Sequence, residues 1–276
     1  HGADFSAAQQ PWNSTPLFFL LGHRESDPQW TVAKTGIRWL LEVGGADPNV
    51  PSGEMELVPL HLAARRHSAH PIEMLLAHEA HVDCPTPDGQ TPYSIAARHG
   101  NVAAMEIFRA HGGATKLSAT DELLAACASG DSTTAQLILD RMPGLIERLG
   151  PQDFFVLPEL AALNKIEAIK TFCAVGFPLD NLGDQKSTAL HQACWHGHAE
   201  IAATLVENGA AMNIPDGDYQ GTALDWVCHG SLFRKQSTPD VYAEIAALLL
   251  RHESPLPDEH WGSEEVQVVL RQARGS

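Results

Sequence analysis

Glu159, His191, Asp225 and His229 are the residues of this chain whose types and spacing could support proton transfer. A carboxylate held beside an imidazole forms an acid–base pair, one group taking a proton as the other gives one up. The four come from three successive units of a chain that repeats itself about every 33 residues between Gly2 and Glu253, and Trp195 falls among them. No nucleophile motif, phosphate-cradling loop or cofactor fingerprint accompanies them, so no cofactor is expected. Asp225 is equally placed to cap the turn it begins. A small-molecule enzyme working by acid–base chemistry is therefore the second reading, behind a binding protein.

The repetition comes first because it decides which elements position these side chains. One stretch carries nearly the whole pattern: Asp88-Gly89-Gln90-Thr91-Pro92, then Ile95-Ala96-Ala97-Arg98-His99-Gly100-Asn101, then Phe108, then His111-Gly112-Gly113-Ala114. This resembles the ankyrin repeat, a β-turn finger followed by two antiparallel helices. The resemblance implies an all-α, right-handed-stacked solenoid of helix pairs, about seven repeats plus a terminal helix, forming one domain over residues 1–276. Residues 1–4 read as the tail of a preceding repeat, and 263–273 as a capping helix. The units end at Gly45-Ala46, Glu79-Ala80, Gly113-Ala114, Gly176-Phe177, Gly209-Ala210 and Glu253-Ser254, where glycine suits a left-handed C-cap. A divergent end is hidden near Met142-Pro143-Gly144-Leu145. First helices are expected near Thr15, Val58, Thr91, Asp121, Asp153, Thr188 and Thr222, several with a capping side chain and with Pro16, Pro59 or Pro92 next. Neither helix of a pair can bury its apolar stripe alone, so neighbours must stack. In the C-terminal half, Ala125-Ala126-Cys127-Ala128-Ser129-Gly130-Asp131, Trp195-His196-Gly197-His198 and Trp226-Val227-Cys228-His229-Gly230-Ser231 resemble a bacterial ankyrin subfamily.

Composition narrows the partners. The chain of 276 residues is 44% hydrophobic and 19% charged, which is a foldable balance, and its net charge is −16. So acidic a protein is poorly suited to nucleic acid or to anionic membranes. The apolar runs Leu17–Leu21 and Ile245–Leu250 are far shorter than the ~20 residues of a membrane span, so no membrane insertion is expected. Cys127, Cys194 and Cys228 share one repeat position as small apolar fillers, no C-x-x-C occurs, and reduced thiols suit the cytoplasm.

The ankyrin resemblance also assigns contact positions, at the finger tips and at the two residues before the glycine that ends each first helix. Carried onto this chain, the latter pairs are Gly22 with His23, Arg65 with Arg66, Arg98 with His99, Ala128 with Ser129, Ala162 with Leu163, Trp195 with His196, and His229 with Gly230. Arg65 and Arg98 would then lie side by side as two forks suited to carboxylates or phosphates. Trp195 would be an apolar anchor, Trp226 a buried residue between helices, and Trp12 and Tyr219 exposed finger residues. The expected partner is a protein or peptide carrying acidic groups, bound in a concave groove, with a small-molecule ligand the lesser alternative. Two units run long, between Gly22 and Gly36 and between Gly230 and Val241, and the second insertion carries Arg234-Lys235. His61 and His191 take the position where ankyrins favour a turn-bonding histidine. His196-Gly197-His198 crosses a helix end and need not converge, so no metal is expected.

Overall fold

The structure, a computed structural model, describes residues 14–23, 29–53, 55–65, 69–183, 185–234, 237–257 and 261–275. Among them the chain is helices and turns, with an isolated antiparallel bridge between Ser52 and Leu57. It divides into two compact units after Ala125. In the first, α1 (Pro16–Leu21) pairs with α2 (Trp30–Glu42), α3 (Pro59–Arg65) with α4 (Ala69–Ala77), and α5 (Pro92–Arg98) with α6 (Val102–Ala110). First helices pack beside first helices and second beside second. The core between them is Leu17, Leu21, Ile37, Leu60, Ile72, Leu75 and Phe108. Fully burying one such side chain contributes about 1.5–3 kcal/mol. The division falls within α7 (Ala119–Ser129).

The second unit continues with α8 (Ser132–Arg141), two short 3-10 turns, and α9 (Val156–Ala162) paired with α10 (Ile166–Ala174). Next come α11 (Ala189–His196) with α12 (Ala199–Glu207), and α13 (Ala223–Phe233) with α14 (Pro239–Arg251). Finally α15 (Glu264–Gly275) packs on α14 and buries Val266 and Leu270. Helices stand at the places of all seven expected pairs, and the terminal helix is present, among the described residues.

Helix starts follow the caps. The Thr15, Thr91 and Thr188 hydroxyls accept from the backbone N–H three residues on, at 3.2, 3.2 and 3.3 Å. Two expected starts are displaced. Asp121 lies inside the first turn of α7, where it accepts from the N–H and hydroxyl of Ser118, and Asp153 lies in a 3-10 turn preceding α9. Ends follow the left-handed residues: Gly45, Glu79, Gly176, Gly209 and Glu253 have φ between 65° and 89°. In the third unit that residue is Gly112 (φ 77°) and not Gly113, whose N–H instead donates to the Phe108 carbonyl. In the first long unit the excess lies mainly between the paired helices, as expected: eight residues part α1 from α2, against three between α5 and α6. The last unit is long mainly because its helices are, α13 and α14 having 11 and 13 residues against seven and nine in α5 and α6.

Polar side chains join consecutive units. His61 accepts the Val58 N–H on Nδ1 and reaches the Cys84 carbonyl with Nε2 at 2.6 Å. His191 repeats the arrangement between Thr188 and the Gly221 carbonyl at 3.1 Å. Asn101 donates to the Ala64 carbonyl, and His198 reaches that of Ala162. In the fingers, Asn49, Asp83 and Asp180 accept the N–H groups of His81, Ala114 and Ala211 at 2.7–2.8 Å. Arg98 and Asp121 form a buried ion pair, Nε to Oδ1 at 2.5 Å, that ties α5 to α7.

Two outcomes follow. Burial lowers the pKa of His61 and of His191, against the opposing pull of the Cys84 and Gly221 carbonyls. Below about pH 6.5 the unfolded imidazoles therefore take up protons that the folded ones refuse. Their contribution to stability is complete above that pH and declines as pH falls toward the lower folded values. Thermal melts at pH 7.5, 6.0 and 5.0 should show Tm dropping. A His61→Leu chain should be less stable by about 1–3 kcal/mol at pH 7.5, with a shallower decline. Replacing Arg98 by Met strands a buried carboxylate at Asp121, and urea unfolding should register a loss of about 3–5 kcal/mol. A loss under 1 kcal/mol would show that the pair is dispensable.

Candidate functional site

The first-helix ends of the two units differ in chemistry. In the first unit Arg65 and Arg98 are both buried, each 8% exposed. This corrects the expectation of two guanidinium forks open to a ligand. Arg98 is taken up by Asp121, not by the finger carboxylates of Asp83 or Asp88, because the start of α7 brings that carboxylate beneath it. His99 is buried, with Nδ1 on the Ile95 carbonyl of its own helix. His23 sits half-buried, edge-on to Phe19 at 5.9 Å. Trp12, Arg66 and Lys235 lie outside the described residues.

In the second unit the ends of α11 and α13 build a strip of rings. Trp195 is half-buried and meets Trp226 edge to face, with centroids 6.0 Å apart. Trp226 is itself half-buried, short of the full burial expected between helices. Its indole N–H donates to Asp216 at 3.1 Å, and its ring lies 5.2 Å from His191. On the other side the Arg234 guanidinium lies over the Trp195 ring, 5.7 Å from the centroid. Arg234 also donates through Nη2 to His196 Nδ1 at 2.8 Å, and His196 stacks on His198 at 5.5 Å. Guanidinium–indole contacts at this range are attractive, by about 0.5–2 kcal/mol.

Arg234 and Ser237, at the two sides of the connection between α13 and α14, both lie against the end of α11. Ser237 Oγ donates to the carbonyls of His196 and Gly197 at 3.2 Å, and the Tyr242 hydroxyl to that of Trp195 at 3.0 Å. The approach needs glycine at two places. A Cβ at Gly230 would stand 2.6 Å from the Trp195 carbonyl oxygen, and one at Gly197 would stand 2.6 Å from the Ser237 Cβ.

His229 is exposed at the outer edge of the strip, with Trp261 edge-on at 3.7 Å and Phe233 stacked at 6.1 Å. Burial against these rings lowers its pKa, and Asp225 and Asp216 pull it back up. Phe233 and Leu232 are 67% and 51% exposed. Neither was legible as a contact residue, because α13 runs on past the usual end of a first helix.

The finger before α13 presents Tyr219, 87% exposed, on a stiff support. The Asp216 carboxylate accepts from the N–H groups of Asp218, Tyr219 and Gly221 at 2.7–2.9 Å. Burial alone would push its pKa up, but these bonds and the Trp226 indole hold it below the ordinary value.

Two members of the alternative acid–base set serve their own backbone. His191 has Nδ1 on Thr188 and Nε2 on the Gly221 carbonyl. Asp225 closes a capping box, accepting the Thr222 N–H and hydroxyl at 2.8 Å. Both serve the turn before their helix, as the sequence allowed. Glu159 stands on α9, half-buried. Among the described residues no group of three or more His, Cys, Asp or Glu side chains is placed to hold a metal. Nor is any described helix long and apolar enough to cross a membrane.

Comparison with known proteins bears on the repeats themselves. A family model for ankyrin repeats in three copies matches residues 30–121, and one for ankyrin repeats in many copies matches residues 177–226. The chain is similar to the ankyrin repeat and KH domain-containing protein mask-1 of Caenorhabditis elegans, with 29% identity over 160 residues, 57% of this chain and 6% of that protein. It is also similar to the BTB/POZ domain and ankyrin repeat-containing protein NBCL of Lotus japonicus, with 44% identity over 59 residues, 21% of this chain and 12% of that protein. The chain thus spans a small fraction of the length of these relatives, both of them eukaryotic. Among solved structures it matches the human ASB11 ankyrin repeat domain at 20% identity and a TM-score of 0.39, covering 87% of this chain and 99% of that one. With helices at the places of all seven expected pairs and with two ankyrin models matching between them just over half of its residues, the chain belongs to the ankyrin repeat family.

Proposed function

We propose that the chain is a protein-binding module that takes a protein or peptide segment along the ring strip of its second unit. Trp195 is the apolar anchor, with Tyr219, His229 and Phe233 as further contacts. The observation that carries this reading is the half-buried Trp195 under the Arg234 guanidinium. Tryptophan and arginine dominate interface energetics, and here the two occupy one place. A preference for acidic groups also belongs to this reading, but it passes from the Arg65–Arg98 pair to Arg234. A guanidinium at the rim of the strip suits a carboxylate, to which it makes a charge-assisted bond. The net charge of −16 weighs against nucleic acid as the partner. The free thiols of Cys127, Cys194 and Cys228 support a cytoplasmic setting. The bacterial likeness of the C-terminal half rests on its motifs, and the eukaryotic relatives lend it nothing. No observation favours the enzymatic reading, since His191 and Asp225 are engaged in their own turns.

Selection from a displayed random-peptide library, with the purified chain as bait, tests this. Enriched peptides should carry an Asp or Glu close to an aromatic or aliphatic residue. A Trp195→Ala bait should lose at least about tenfold in affinity for them, the equivalent of about 1.4 kcal/mol. An Arg234→Gln bait should keep the apolar preference and lose the acidic one. Peptides bound equally well by the Trp195→Ala chain would place the contact surface elsewhere.

A further inference from the structure

The hydrogen bond from Arg234 to His196 has a direction that chemistry fixes. A guanidinium has donors and no acceptor, so the imidazole must offer a lone pair at Nδ1 and is therefore neutral, with its proton on Nε2. A second proton can enter only at Nδ1, the atom that faces the guanidinium. It would replace a hydrogen bond by two like charges at contact distance.

Among the described residues, groups from several elements lie against His196. Arg234 bonds it from the segment after α13. His198, the N-cap residue of α12, stacks on it at an interplanar angle of 8°. Its Nε2 lies on the Ala162 carbonyl, and burial, joined by Arg234, lowers its pKa. Tyr242 on α14 approaches only the backbone, its hydroxyl on the Trp195 carbonyl, with burial pushing its pKa up to about 12. Of the ionisable groups on the flanking first helices, Asp225 accepts from Thr222 and His229 packs on Trp261. The segment is also pinned at Ser237, through main-chain carbonyls that do not titrate. Those bonds hold the backbone there whatever the charge on His196.

We propose that His196 is a proton-operated latch for Trp195: the neutral imidazole holds Arg234 across the indole, and the imidazolium releases it and bares the ring to a partner. The latch rests, for its use, on Trp195 being the contact residue, but its movement takes place in the isolated chain. The proton comes from solvent and no bond other than the hydrogen bond changes. Histidine suits the task because its ordinary titration range lies within physiological reach.

Acrylamide quenching of tryptophan fluorescence reads the latch directly, with the Trp195→Phe chain subtracted to isolate Trp195. Between pH 7.5 and 5.0 the quenching constant of Trp195 should rise about twofold as the cation leaves its face, with far-ultraviolet circular dichroism unchanged. In His196→Gln, whose amide oxygen accepts from Arg234 at any pH, the response should vanish. In Arg234→Gln the ring should be accessible at both pH values. Should Trp195→Phe not fold, the pH-dependent difference between the unaltered chain and Arg234→Gln gives the same reading with residue 195 intact. An unaltered chain without a pH response overturns the latch, as does a response that survives in His196→Gln. Because quenching needs no partner, either result leaves the peptide-binding reading to stand or fall by the library selection.

Discussion

A seven-residue helix such as α3, α5 or α9 has almost no interior. Four N–H groups at one end and four carbonyls at the other find no partner within the helix, and everything else in this structure depends on who supplies them. The threonine caps serve the N-terminal ends locally. The carbonyl ends are served from a distance of about one unit: Asn101 reaches Ala64, and His198 reaches Ala162. The same logic puts His61 and His191 in the core, where an imidazole would be a liability without a carbonyl of the following finger to meet it. Burial of polar side chains here is what couples one helix pair to the next, so no pair is complete alone.

This explains what could be read in advance. Caps, turn glycines and the bridging histidines act on backbone a few residues away or one repeat away, and both distances are visible as spacing. The helix pairs, including the divergent ones around Gly144, were therefore legible, as was the terminal helix. The end of the third unit was misplaced by one residue, since Gly112 and Gly113 are adjacent and only backbone geometry tells them apart. The candidate site was less legible. Repeat register correctly set Arg98 and Trp195 at first-helix ends, yet it says nothing of where a long side chain turns. Arg98 found Asp121, and Arg234 reached back across a repeat to Trp195, in each case for a partner outside the register. The extra residues of the last unit resembled a loop in sequence because helix extension and loop insertion lengthen a repeat alike.

The two arginine placements set the units apart in chemistry. In the first, a guanidinium and a carboxylate neutralise one another in a nearly dry setting, which fixes α7 to α5 and leaves little for a ligand. In the second, the guanidinium rests on an aromatic face and donates to an imidazole. The same residue type serves cohesion in one place and readiness in the other, and the difference lies in the second partner.

Gly197 and Gly230 give the connection between α13 and α14 its room, and that connection in turn fills the room they leave. A side chain at Gly197 would meet Ser237 and the Tyr242 ring, and one at Gly230 would meet the Trp195 carbonyl and the Tyr242 ring, so either would push α14 off the end of α11. A related chain with a side chain at either position should therefore no longer cover its tryptophan.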